Sequence, residues 1–184
     1  MQRHTTTAAT LFSLALLLLC SCTSFKATNF PGKLVELDAD EVSEDSTWIM
    51  DDTVYHARRI GVASFIISSV EWDKQAKAHK LVSRDAILSK LGDTRFLSIK
   101  EGEYYVILRL HASNDEKTLL LSTFDADALK EEIESGELAA RKNREEFLFE
   151  GSKDELDAYL SAEADPPFDA EVLGVLRLLS GELK

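Results

Sequence analysis

Alternation of apolar and polar residues at period two marks several segments between residues 54 and 124, the pattern of strands that bury one face. Residues 54–60 and 62–72 both read as extended. In the second segment Val62, Ile66, Val70 and Trp72 share one side while Ala63, Phe65 and Ile67 share the other. Apolar groups on both faces place that strand in the interior of a sheet. Residues 74–80 are polar and read as a loop or short helix. Ser83 then stands where it can cap a brief helix through Ala86, Ile87 and Leu91, with Gly92 at the stopping position.

The clearest β signal follows. Residues 95–100, a turn at Glu101-Gly102, residues 104–110, a turn at Ser113-Asn114-Asp115 and residues 117–124 predict a three-stranded meander. Tyr104, Val106, Leu108 and Leu110 fall on one face, which is expected to be buried. Tyr105, Ile107, Arg109 and His111 fall on the other, a mixed surface suited either to a ligand floor or to cover by a helix or loop.

Helical spacing enters late in the chain. Asp125 caps a predicted helix over residues 126–135, in which Ala126, Leu129 and Ile133 share a side and Gly136 ends it. Residues 147–149 read as a short strand. Ser152 and Glu155 have capping-box spacing and open a helix that buries Leu156, Tyr159 and Leu160, stopped by Asp165-Pro166-Pro167. Residues 172–179 suit helix or strand, and Gly174, which costs about 1 kcal/mol inside a helix, tips the reading toward a closing strand. With a short strand at residues 34–37, the expected fold is α+β: a largely antiparallel sheet with two to three helices packed on one face.

The N-terminus carries a different pattern. Met1, Gln2, Arg3 and His4 form a weakly basic start, and an apolar run through Leu11, Phe12, Leu14 and Leu16 reaches Leu19. That run is shorter than the ~20 residues of a membrane span and lies where an export signal lies. Leu19-Cys20-Ser21-Cys22 resembles the lipobox of bacterial lipoproteins: an aliphatic residue, a tolerant position, a small residue, then the acylated cysteine. Cys22 fits, because Ser21 precedes it; Cys20 follows Leu19 and does not. The resemblance covers about the first twenty-five residues and implies cleavage between Ser21 and Cys22, with lipid on Cys22. Two or more acyl chains, at ~0.8 kcal/mol per buried CH₂, hold a protein stably on a bilayer.

By the sorting pattern of enteric lipoproteins, Thr23 beside the lipidated cysteine implies the outer membrane, with the domain facing the periplasm, in a cell that has two membranes. The expected organisation is therefore a signal peptide over residues 1–21, a lipidated cysteine and tether over 22–33, and a single domain over 34–184. Cleavage removes Cys20 and modifies Cys22, so packing must stabilise the mature domain without a disulfide.

The precursor's formal charge of −12 excludes nucleic acid as a natural partner, since such binding rests on clustered Lys and Arg. The acid concentrates over residues 38–45, 131–137 and 145–171, a solvated surface or a docking face for a basic partner. His56, His79 and His111 are scattered and no thiol survives cleavage, so no metal site is expected. Asp38-Ala39-Asp40 with Ser43, Glu44 and Asp45 lacks the central glycine and closing glutamate of a calcium loop.

No Gly-x-Ser-x-Gly elbow, phosphate-binding loop or dinucleotide fingerprint is present, and no cofactor is implied. Tyr55, His56, Arg58 and Arg59 gather positive charge, but on a strand the two arginines face opposite ways. The expectation is a noncatalytic lipoprotein domain that binds another component of the cell envelope. The alternative is a tethered hydrolase or small-ligand carrier using Tyr105, Arg109 and His111.

Overall fold

A computed structural model of the chain describes residues 24–35, 44–113, 117–144, 146–162 and 174–180. In chain order the elements are β1 (Ser24–Ala27), β2 (Lys33–Leu34), β3 (Asp45–Met50), β4 (Thr53–Arg59), β5 (Ser64–Asp73), β6 (Ala78–Leu91) and β7 (Thr94–Glu101). They continue with β8 (Tyr104–Ala112), β9 (Thr118–Ser122), α1 (Ala126–Ser135), β10 (Ala140–Asn143), β11 (Glu146–Phe149), α2 (Lys153–Ala162) and β12 (Gly174–Ser180).

Strands β3 to β9 form one continuous antiparallel meander. Strand β12 pairs with β3 on one side and with β9 on the other, and β9 pairs back onto β8. The eight strands β8-β7-β6-β5-β4-β3-β12-β9 thus close into a barrel. Strand β8 forks: Arg109 to Ala112 pair with β9, whereas Tyr105 and Val106 pair with β1. Strand β1 leads outward to β11, in parallel, and then to β10, so a small second sheet peels away from the barrel wall.

The densest apolar core lies outside the barrel. Phe25, Phe96, Ile107, Phe124, Leu129, Phe147 and Leu156 are essentially inaccessible and pack together between the outer wall of β7 and β8, the second sheet and the two helices. The rings of Phe25 and Phe124 lie 4.3 Å apart, and Phe149 and Tyr159 flank them. Both helices begin as the sequence foretells. The Asp125 carboxylate accepts from the backbone N–H groups of Asp127 and Ala128 (2.8 and 3.1 Å), and Gly136 ends α1 with φ +82°. At α2, the Ser152 N–H donates to Glu155 Oε2 (2.7 Å) while the Glu155 N–H donates to Ser152 Oγ (3.2 Å), a reciprocal box that holds the Glu155 carboxyl below its ordinary pKa. The Tyr159 hydroxyl donates to Glu132 (2.6 Å) and ties the helices together.

Two expectations need correction. The fold is not an α+β sheet with helices on one face. It is a closed antiparallel barrel with two short helices among the described residues, both packed outside its wall. Local alternation cannot report closure, because the decisive pairings join β12 to β3 and β9, far away in sequence. Secondly, the predicted helix through Ala86, Ile87 and Leu91 is part of β6, whose residues 78–91 pair with β5 and β7 in unbroken register. Two long neighbouring strands outweigh a weak capping signal. Within the segment read as a tether, Phe25 and Ala27 are fully buried and β2 pairs with β6. The meander, both helix caps and the closing strand near Val175 stand where expected. Ser21, Cys22 and the Asp165-Pro166-Pro167 stop lie outside the described residues.

Candidate functional site

The closed wall has an inner face, and the register names its residues. From β3 to β5 it carries Ser46, Trp48 and Met50, then Thr53, Tyr55 and Ala57, then Phe65, Ile67, Ser69 and Glu71. Along β6 to β8 it carries Val82, Arg84, Ala86 and Leu88, then Leu97 and Ile99, then Val106, Leu108 and Leu110. Leu119, Leu121, Leu176 and Leu178 complete the ring. This lining is mostly aliphatic and aromatic, yet Ile67, Val82, Leu88, Leu97, Ile99, Val106 and Leu110 remain partly accessible, unlike the sealed residues of the outer core. An eight-stranded barrel is just wide enough to be filled by its own side chains or to hold one small ligand. Partly accessible apolar groups on an inward face are compatible with the second outcome, although Trp48, Ala86, Leu108 and Leu121 on the same face are buried.

The two ends of the lumen differ. At the lower end, where the β3–β4, β5–β6 and β7–β8 turns lie, a chain of ion pairs crosses the wall. Lys26 contacts Glu101 and Glu146, each at 2.7 Å; Glu101 approaches Arg84 at 3.9 Å; Arg84 grips Glu71 at 2.6 Å. Hydrogen bonding by Arg84 lowers the Glu71 pKa, and Glu71 in turn raises that of Arg84. Burial opposes the charge on Lys26, but its two carboxylate partners outweigh burial and raise its pKa. Burial and the neighbouring Glu71 charge raise the Tyr55 phenol, so it stays a neutral hydrogen-bonding group beside the pairs. In the middle, the buried Trp48 indole donates to Ser46 Oγ (2.8 Å), which fixes the ring in the wall.

At the upper end, bounded by the β4–β5, β6–β7 and β8–β9 connections, the inner face becomes cationic. Lys33 is directly opposite Lys90, and Lys90 is directly opposite Arg95, so three positive residues lie in one cross-strand row. The row continues through Leu110 and Leu121 into apolar wall. Gly32 makes this approach of β2 to β6 possible: its φ is +68°, and a Cβ there would collide with the Lys90 carbonyl.

The residues singled out from sequence do not line the lumen. Tyr105, Arg109 and His111 stand on the outer face of β8. Tyr105 packs edge-on to Phe30 and carries the Lys100 ammonium over its ring at 4.2 Å. Arg109 is half-buried; His111 is exposed, and residual burial and Arg109 lower its pKa. Of the basic quartet, Tyr55 belongs to the inner face with Ala57, whereas His56 and Arg58 face outward. Arg59 folds back to donate to the Gly61 and Val62 carbonyls. Among the described residues no three His, Cys, Asp or Glu side chains converge as metal ligands, and no helix is long and apolar enough to cross a membrane. The inner face offers apolar contact along its length and charged side chains at its two ends.

Comparison with protein-family models, curated proteins and solved structures returns no match for this chain.

Proposed function

We propose that this chain is an exported bacterial lipoprotein, held on the outer membrane through acylated Cys22, whose periplasm-facing barrel is a noncatalytic binding domain that takes an apolar small molecule into its lumen. The observation that carries the binding reading is the placement of apolar surface. The cluster of fully buried aromatic and aliphatic residues lies outside the barrel, while the inner face, which also buries Trp48, Ala86, Leu108 and Leu121, leaves Leu88, Leu97, Ile99 and Val106 partly accessible. The anchor reading rests on the Leu19-Cys20-Ser21-Cys22 motif.

The two readings fit together spatially. Strand β1 runs antiparallel to β8, so its Ser24 end points toward the upper, cationic end of the barrel. Cys22 precedes Ser24 by two residues, a reach of about 7 Å at most. Lipid on Cys22 would keep the upper opening close to the bilayer, where apolar molecules reside.

Trp48 offers the test of the lumen. In a Trp72→Phe variant, which removes the exposed outer tryptophan, an apolar dye such as 1-anilinonaphthalene-8-sulfonate is expected to bind with one-site saturation and to quench Trp48. Dye binding without any change at Trp48 would refute lumenal binding. For the anchor, mass spectrometry of the mature N-terminus is expected to find a diacylglyceryl group on Cys22, and Cys22→Ser should release the protein from membranes. An unmodified thiol would overturn that half.

A further inference from the structure

Three cationic residues directly opposite one another on neighbouring strands are an unfavourable arrangement. Like charges in such a row repel. Lys33, Lys90 and Arg95 nevertheless occupy one row at the upper end of the lumen, in a protein whose formal charge is −12. Lys90 has a counter-ion in Asp93 at 3.4 Å, but Asp93 is fully exposed on the Gly92-Asp93 turn, where water screens it. An acidic chain that concentrates positive charge at the end of a largely apolar inner face is arranged to receive a negative group there.

Resting on the lumenal reading above, we propose that the ligand is an anionic amphiphile, a single acyl chain with a carboxylate or phosphate head. The chain lies in the lumen and the head lies against Lys33, Lys90 and Arg95. The row below the cations is Leu88, Leu97 and Leu108, and the next is Ala86, Ile99 and Val106. Beyond them, Arg84 and its Glu71 partner close the apolar stretch with a self-satisfied ion pair. From Lys90 to Arg84 is six residues along β6, about 20 Å of strand. With a strand tilt near 40°, that gives roughly 15 Å along the barrel axis. This length matches an extended chain of about a dozen carbons at roughly 1.3 Å each. A neutral or cationic amphiphile of the same length would fill the wall equally well and leave the cations facing one another.

The test compares dodecanoate, dodecanol, dodecyltrimethylammonium and inorganic phosphate on the Trp72→Phe protein, with Trp48 emission as readout. Dodecanoate is expected to bind about tenfold or more tightly than dodecanol and to weaken with added salt, whereas dodecanol should be insensitive to salt. Lengthening the carboxylate from eight to twelve carbons should tighten binding by up to about fourfold per CH₂, with no comparable gain beyond that length. The double variant Lys90→Gln/Arg95→Gln should bring dodecanoate down to the affinity of dodecanol and leave dodecanol unchanged, which controls for folding. Equal affinity for acid and alcohol, or a double variant that leaves their ratio intact, would sink the headgroup site while the lumenal reading stood. Binding of phosphate alone as tightly as dodecanoate would mean a surface anion site and would overturn the amphiphile. If no alkyl probe reached Trp48, the lumenal reading itself would fall.

Discussion

Two truncations, Phe25→Ala and Leu97→Ala, distinguish a barrel that holds a ligand from one packed solid. Phe25 is fully buried, with its ring 4.3 Å from Phe124 and within 6.4 Å of Phe149 and Tyr159. Its removal leaves a cavity among side chains held by two helices and two sheets, so a loss of about 4 kcal/mol is expected. With a urea m-value near 2 kcal/mol/M, the unfolding midpoint should fall by roughly 2 M. Leu97 lies on the lumenal face between Leu88 and Leu108 and is only partly buried. On the lumenal reading its truncation removes contacts that are already incomplete, and the cost should be nearer 1 kcal/mol, less than the transfer value of a fully buried leucine. Urea unfolding of the protein, followed by far-ultraviolet circular dichroism, measures both. A Leu97→Ala loss as large as that of Phe25→Ala would mean the lumen is filled by its own side chains and has no room for a guest. A Phe25→Ala loss below about 1 kcal/mol would mean residues 24–27 do not belong to the folded unit.

Other substitutions test separate parts of the reasoning. Gly32→Ala should cost about 2 kcal/mol or more, since it strains a left-handed φ and drives a Cβ into the Lys90 backbone; thermal unfolding would show it, and an unchanged Tm would contradict the β2–β6 pairing. Ser98→Ala should be neutral or stabilising by up to about 1 kcal/mol, because the buried Ser98 hydroxyl has no hydrogen-bond partner among the described residues; a loss above 1 kcal/mol would show that it does have one. Glu71 has a folded-state pKa lowered first of all by the Arg84 hydrogen bond, so its stabilisation is present above the ordinary carboxylate range and is lost as pH falls through the lowered value. Arg84→Met should therefore flatten the dependence of Tm on pH between about 5 and 2, and an identical slope in the variant would rule out this pair as a source of acid sensitivity.

Much of the local structure was legible in the residues. Period-two alternation named the meander and sorted Tyr104, Val106, Leu108 and Leu110 from Tyr105, Ile107, Arg109 and His111. Asp125 and the Ser152–Glu155 box marked helix starts that the backbone adopts, because capping is a contest among groups within three residues of one another. The site was not legible. Lys90 and Arg95 flank a two-residue turn and could have been paired from sequence, had residues 83–91 been read as strand; Lys33 joins them only because β2 docks on β6 across more than fifty residues.

The chain's own pattern decided which residues alternate, where turns and caps fall, and that the overall charge is acidic, and it holds the Leu19-Cys20-Ser21-Cys22 motif on which the anchor proposal rests. Tertiary structure alone decided that the sheet closes, which of its two faces looks inward, and that the sealed core belongs outside. The reason is physical. Alternation tells a strand that it has two sides, but only the long-range pairing of β12 with β3 and β9 makes one of those sides an interior.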